Sequence, residues 1–204
     1  PEFNSFCMAG FECTYAKAED GRRFDLLRAS HHDIRIREDY ELLLERGIYT
    51  VREGLSWQQI DSGSGQYNFS RFEPMMQAAQ ETDIQQIWDL SHFDFPDDID
   101  PFSEVFARRY GEYAKRAITL IRKYQQNRTL YICPMNEASF FAWMCDRGLW
   151  APYQKGRGTE FKKQLIKAAI AAMDAIWEVD HDVQFIHIDP YMYRRPLRKR
   201  SVIE

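Results

Sequence analysis

Glu12, Glu53, Asp89, Glu137 and Asp189 are carboxylates that each stand at or just past the end of a short apolar, β-branched or aromatic run. Arg52, His92 and Asn136 hold the same kind of position. In parallel α/β proteins binding sites form at the carboxyl ends of strands, so these residues belong on one rim if the runs are parallel strands. Carboxylates can serve as general acids, bases or nucleophiles. Asn and His can hydrogen-bond hydroxyls, and Arg can hold a neighbouring carboxylate in its ionised form. Trp57, Trp88, Phe93, Phe95, Trp143, Trp150 and Tyr191 lie near these positions in the chain. Flat rings beside carboxylates, Asn and His suit a sugar, whose C–H faces stack while its hydroxyls bond.

Each residue also has a plain structural reading. Glu137 fits a helix-start carboxylate favoured by the dipole. His92 fits a loop cap, and Arg52 an ion pair with Glu53 or Asp89. Glu12 and Asp189 suit structural roles equally well, and Asp94 and Asp97 suit the fixing of the loop after the third strand. His31 and His32 form a pair with no third ligand placed, so neither a metal nor a cofactor is expected.

The elements that must position these groups alternate along the chain. Strands are predicted over 6–11, 48–52, 84–90, 130–133 and 183–188, and helices over 34–46, 72–82, 102–124 and 159–179. Gly47 stands where a helix C-cap residue is expected and Thr159 where an N-cap is expected. The order β-α-β-α-β-α-β-α-β predicts a parallel sheet with right-handed crossovers. Neither G-x-G-x-x-G nor G-x-x-x-x-G-K-[ST] occurs, which argues against a dinucleotide or P-loop site. The run Arg194-Arg195-Pro196-Leu197-Arg198-Lys199-Arg200 reads as part of a solvated basic tail over 194–204.

At 204 residues, 45% hydrophobic and 28% charged, the chain suits a single domain with a packed core and is not a disordered composition. It carries 27 Lys and Arg against 31 Asp and Glu, a net charge of −4. That balance argues against nucleic acid as a partner. No apolar run approaches the roughly 20 residues of a membrane span, so no membrane partner is expected. Cys7, Cys13, Cys133 and Cys145 match no zinc-ligand spacing and read as reduced thiols of a cytoplasmic protein. Pro1-Glu2-Phe3 has the look of a cloning scar.

The stretch Glu38-Asp39, Gly47, Arg52 and Ser56-Trp57 resembles the family 1 glycoside hydrolases and their clan of (β/α)8-barrel relatives. Leu90-Ser91-His92-Phe93-Asp94-Phe95-Pro96 matches that family's L-x-H-x-D-x-P signature, and Pro134-Met135-Asn136-Glu137 is similar to its Asn-Glu dipeptide. Gly148-Leu149-Trp150-Ala151-Pro152 is similar to the G-x-[FW]-A-P segment that follows. The resemblance covers about residues 6–190. It implies an α/β fold, a parallel barrel of TIM type, incomplete, with about five of its eight strands, forming the N-terminal portion of the barrel. It also implies a retaining β-glycosidase in which Glu137 is the acid/base and Asn136 holds the sugar 2-hydroxyl. His92 would hold another hydroxyl of the same sugar, Arg52 would orient the nucleophile, and Trp150 would wall the pocket. Glu12 and Asp189 complete the candidate binding set, with a carbohydrate as the partner.

The chain departs from that pattern in three places. The family's nucleophile comes from a seventh strand, beyond the strands found here. Phe11-Glu12-Cys13 stands where the family has a first-strand glutamine, and the helix after Thr159 lacks the usual histidine. A local carboxylate (Glu12, Glu53 or Asp189) taking the second catalytic role is one alternative. A truncated or non-catalytic carbohydrate-binding or interaction remnant of a barrel is another. A five-stranded piece has two unpaired edges, so self-association or a covering chain is expected.

Overall fold

The computed structural model describes residues 2–191. The basic tail expected over 194–204 lies outside them, as does Pro1. Five strands, β1 (Ala9–Gly10), β2 (Thr50–Gly54), β3 (Gln85–Asp89), β4 (Tyr131–Cys133) and β5 (Gln184–Phe185), form one open sheet in the order β1-β2-β3-β4-β5. Every neighbouring pair is parallel. This is the expected α/β architecture, an incomplete TIM-type barrel whose edges among the described residues are β1 and β5. The edge strands pair over two residues each, shorter than the predicted 6–11 and 183–188, because each has a single neighbour to hold it in register.

Among the described residues seven helices connect the strands: α1 (Leu26–Ala29), α2 (His32–Leu44), α3 (Trp57–Ile60), α4 (Glu73–Thr82), α5 (Glu104–Tyr124), α6 (Ala138–Asp146) and α7 (Gly158–Trp177). In α5, Phe106, Tyr110, Tyr113, Ala117 and Ile121 recur at helical spacing and are all buried. Glu104 lies in its first turn and Arg122 and Lys123 in its last, each matched to the local dipole. α7 buries Phe161, Leu165, Ala168, Ala172 and Ile176 in the same rhythm. The two helices come close at Gly111, where a Cβ would press on the Ala171 carbonyl at 3.0 Å. Thr159 does not cap α7. The helix starts one residue earlier, and Arg157 occupies the cap position, with its guanidinium on Glu160. Gly47, in the left-handed region at φ 73°, donates to the Leu44 carbonyl just past the end of α2, as a glycine there should.

Strand alternation divides the polar residues between two faces. Arg52 and Asp89 meet on the inner face. Glu53, Gln86, Trp88 and Ile132 face the helices, and Glu53 and Gln86 both reach the Tyr40 hydroxyl of α2. At the amino end of the sheet the first residues lie against the inner face. Phe3 packs on Tyr131 with ring centroids 4.7 Å apart, the Tyr131 hydroxyl donates to the Glu2 carbonyl at 2.7 Å, and the Asn4 N–H donates to Gln85 at 3.0 Å. Glu2 and Phe3, read from sequence as a scar, are thus in contact with the strands.

Candidate active site

The ladder of backbone bonds continues past each strand end and fixes the residues that follow. The Phe11 N–H donates to the Arg52 carbonyl, Leu55 to Asp89, Leu90 to Cys133, Asn136 to Ser91 and Glu137 to Ile188. These bonds hold Glu12, Arg52, Asp89, His92, Asn136, Glu137 and Asp189 at the carboxyl end of the sheet.

A connected polar cluster forms there. Arg52 donates through Nε to Asp89 Oδ1 at 3.1 Å and through Nη2 to Asp89 Oδ2 and to Asn136 Oδ1, both at 2.5 Å. With Oδ1 so occupied, Asn136 turns its Nδ2 to His92 Nε2 at 3.1 Å. Nδ2 can only donate, so Nε2 accepts, and the His92 proton resides on Nδ1, which donates to Asp89 Oδ2 at 3.1 Å. Asp89 is fully buried, Asn136 and His92 nearly so, and Arg52 is half-buried. Burial alone would weaken Arg52 as a base, but the Asp89 carboxylate outweighs it and raises the guanidinium pKa further. The second reading of Arg52 from the sequence, an ion pair, is realised with Asp89. Its Nη1 has no hydrogen-bond partner among the described residues.

Glu12 stands beside this cluster, largely exposed, with Oε1 3.7 Å from His92 Nε2. Oε1 also accepts from the Thr14 N–H at 3.0 Å and the Thr14 hydroxyl at 2.6 Å. Partial burial works against ionisation, yet the Thr14 hydroxyl and N–H donors hold the carboxyl below its ordinary pKa. Cys13 lies behind it, buried, with Sγ 3.2 Å from His92 Nδ1. Burial, Asp89 and Glu12 push its thiol pKa well up.

Glu137 is half-buried and follows Asn136 directly. It occupies the cap position of α6 in the left-handed region, φ 44° and ψ 54°, with no side-chain cap bond. A non-glycine residue there carries strain of about 1–2 kcal/mol. Asp189 lies across from it at the end of β5 and accepts from the Ser139 hydroxyl at 2.5 Å and the Ser139 N–H at 3.3 Å, which caps the start of α6. This is the structural role weighed for Asp189 in the sequence.

Glu53 does not reach the rim. It is wholly buried on the helix side, accepting from Tyr40 at 2.6 Å and bonded to His32 Nε2 at 3.0 Å, because side chains of successive strand residues point opposite ways. It therefore cannot serve as a second carboxylate beside Glu137. Trp57, Trp88 and Phe95 are likewise core residues. Trp57 packs against Phe106 and Tyr110 with centroids about 5 Å apart. The rings near the cluster are Phe93, on His92 at 4.6 Å, and Trp150, on Phe93 at 5.1 Å. Phe93 is itself left-handed, φ 68°. Trp143 and Tyr191 are exposed.

The loop after β3 is held as its carboxylates suggest. Buried Asp94 accepts from the Ser56 hydroxyl at 2.6 Å, the Gln58 N–H at 3.0 Å and the Ser91 hydroxyl at 2.9 Å. Asp97 bonds Lys17 at 2.9 Å and Arg23 at 2.7 Å. His32 is committed to Asp39 and Glu53. A recess of about 920 Å³ lies at the opposite end of the sheet. Arg122 pairs there with Asp180 and Arg128 with Asp83, and the wall also carries Glu2 and Asp182 but no histidine or cysteine. The carboxyl-end cluster is therefore the candidate site.

No protein-family model matches the chain, and no curated protein matches it. Its fold matches solved structures. The AHE enzyme of Alicyclobacillus herbarius aligns with a TM-score of 0.69 at 20% identity over 91% of this chain and 48% of that one. The family 1 β-glucosidase of Thermotoga maritima aligns with a TM-score of 0.73 at 19% identity, over 83% and 40%. The same β-glucosidase in complex with cyclophellitol gives 0.72 at 20%, over 84% and 41%. The chain spans less than half the length of these structures. Among the described residues no helix is long and apolar enough to cross a membrane. The protein has the fold of part of a family 1 β-glucosidase barrel.

Proposed function

We propose that this chain is the N-terminal portion of a glycoside hydrolase that cleaves β-glycosidic bonds by the retaining two-carboxylate route. The carrying observation is Glu137, half-buried and held in a strained left-handed conformation past the carboxyl end of β4, where it directly follows Asn136 of the Arg52–Asp89–His92–Asn136 cluster. Strain of this kind collects at functional positions.

In that reaction Glu137, protonated, gives its proton to the departing glycosidic oxygen and then takes one from the incoming water. Asn136 and His92 hold hydroxyls of the sugar. His92, with its proton on Nδ1, offers Nε2 as an acceptor to a sugar O–H, in place of the Asn136 amide. Arg52 keeps Nη1 for the nucleophilic carboxylate, which retaining chemistry places about 5–5.5 Å from the acid/base and which the remaining strands supply. Trp150 and Phe93 wall the cleft, and Glu12 borders it. Asp189 acts on the reaction by fixing the first turn of α6 and so the Glu137 backbone.

Edge strands β1 and β5 support association with a covering chain or with further βα units. Unpaired Cys7, Cys13, Cys133 and Cys145 support a reducing, cytoplasmic setting, and the fold shared with a β-glucosidase supports a place in carbohydrate metabolism.

The test is hydrolysis of an aryl β-glucoside by the polypeptide that contains this chain with its remaining strands. Glu137→Gln should lower kcat at least about a hundredfold, within the range typical of a lost general acid. Equal rates would remove Glu137 from the mechanism. A second reading, sugar binding without turnover, is favoured by one observation. Glu12, Asp89 and Asp189, the other rim carboxylates, are each bonded to Thr14, Arg52 or Ser139. That reading expects the isolated chain to bind a β-glucoside with equal affinity before and after Glu137→Gln.

A further inference from the structure

The rim cluster contains a grouping of which sugar binding uses only His92 and acid/base chemistry uses nothing. Cys13 Sγ, His92 Nδ1 and Asp89 carboxylate oxygen all lie within 4.8 Å of one another, and all three residues are buried. Sγ is 3.2 Å from Nδ1, and Asp89 Oδ2 is 3.1 Å from the same nitrogen. Sulfur, nitrogen and oxygen ligands around a tetrahedral zinc ion stand roughly 3.3–3.6 Å apart, given metal bonds of about 2.3, 2.0 and 2.0 Å. Two of the three edges are thus already near the spacing of a tetrahedral face, and the third is within 4.8 Å.

The surroundings are shaped for it. Gly54 faces the sulfur, and a Cβ at that position would overlap Sγ, so the thiol occupies room that only a glycine leaves. Glu12 stands on the far side of the His92 ring, 3.7 Å from Nε2. Carboxylates placed there orient metal-bound histidines by accepting their second N–H. Charge also balances. A thiolate with Asp89 and Glu12 gives three negative charges against one on Arg52, and a divalent cation cancels the remainder.

We propose that Cys13, His92 and Asp89 form a binding site for a divalent cation of borderline softness, such as zinc, with Glu12 as the positioning residue for His92. On binding, the Cys13 thiol releases its proton to solvent as the sulfur–metal bond forms. The His92 proton moves from Nδ1 to Nε2, where Glu12 accepts it in place of the bond from Asn136. Thiolate and imidazole select zinc, cobalt or cadmium over magnesium or calcium. The inference needs only these ligands and stands whether or not the chain cleaves glycosides. If both hold, the cation and a sugar compete for His92.

Cobalt(II) added to the full chain is the probe. One equivalent should give a near-ultraviolet thiolate-to-cobalt charge-transfer band with tetrahedral visible bands, displaced by zinc and unaffected by magnesium. Cys13→Ser should abolish the charge-transfer band, and Cys7→Ser should leave it intact. His92→Ala should weaken binding at least tenfold, and Glu12→Gln about tenfold, the lower end of the usual effect of an outer-shell carboxylate. Should Cys13→Ser fail to fold, as judged by circular dichroism, Cys13→Ala replaces it, since it only leaves space beside Gly54. A cobalt spectrum without thiolate character, or a band that survives loss of the Cys13 sulfur, overturns the proposal.

Discussion

Arg52 and Glu53 are adjacent on β2 and face opposite ways, and their surroundings show how one strand serves two purposes. On the inner side Arg52 joins Asp89, His92 and Asn136 in a cluster that keeps some groups open. Its own Nη1 lacks a partner among the described residues, Glu12 is largely exposed, and Glu137 makes no side-chain hydrogen bond among them. On the helix side Glu53 is sealed. It takes hydrogen bonds from Tyr40 and His32, Gln86 bonds both Tyr40 and the Met75 carbonyl, and Gln125 bonds Gln86. His32 is further clamped by Asp39 at 2.6 Å and by Phe11, whose ring stacks 3.4 Å from its own. On the function proposed above, the open cluster receives a ligand, whereas the closed one ties α2 and α4 to the sheet.

If that division is right, the largest stability loss comes from the closed side. Glu53→Ala strands His32 and the Tyr40 hydroxyl without their acceptor and leaves a cavity, a cost of about 3–5 kcal/mol for breaking a buried pair. Chemical denaturation should show the midpoint falling accordingly. A loss under 1 kcal/mol would mean the network is not holding the helices.

The second prediction concerns pH. For His32, burial works to lower the pKa, but the Glu53 and Asp39 carboxylates outweigh it and raise it. For Glu53, burial raises the pKa despite His32 and Tyr40. Both groups therefore hold protons more tightly in the folded state, so each contributes stability that falls as pH rises. The His32 contribution is complete below its unfolded value near 6.5 and disappears as pH climbs through the raised folded value. Melting temperature should decline across that window, and His32→Gln should flatten the decline. Parallel slopes in the two proteins would sink the assignment.

The smallest effect is expected on the open side, and with the opposite sign. Glu137→Gly removes no side-chain hydrogen bond found among the described residues and relieves the left-handed strain, so the protein should gain up to about 1 kcal/mol. Thermal denaturation can resolve that. A gain in stability with a loss of hydrolysis is the usual mark of a strained active position, whereas a destabilised variant would show that the conformation is not strained.

Much of this arrangement was legible in the sequence. The five apolar runs and the long amphipathic helices announced a parallel α/β sheet, because burial on one stripe leaves a 3.6-residue rhythm. α6 did not, since Ala138-Ser139-Phe140-Phe141-Ala142-Trp143 is apolar on nearly all sides and shows no period. α1 and α3, of four residues each, are too short to show one. Arg52 and Asn136 could be placed on the rim by their positions, but Glu53 was misplaced with them because composition does not say which of two adjacent strand residues turns inward. Cys13 and His92 are 79 residues apart, so no spacing rule could bring them together, and only the register of β1, β2 and β3 does. The signal was present in one respect: Gly54 ends a β-rich run where a side chain would ordinarily add stability.

That glycine carries a consequence for how such chains can diverge. The sulfur at 13 fills the volume that a methyl at 54 would take, so the two positions are one steric unit shared between neighbouring strands. A lineage can enlarge residue 54 only after residue 13 has shrunk, and in related chains the pair should change hands together, small facing large in one order or the other.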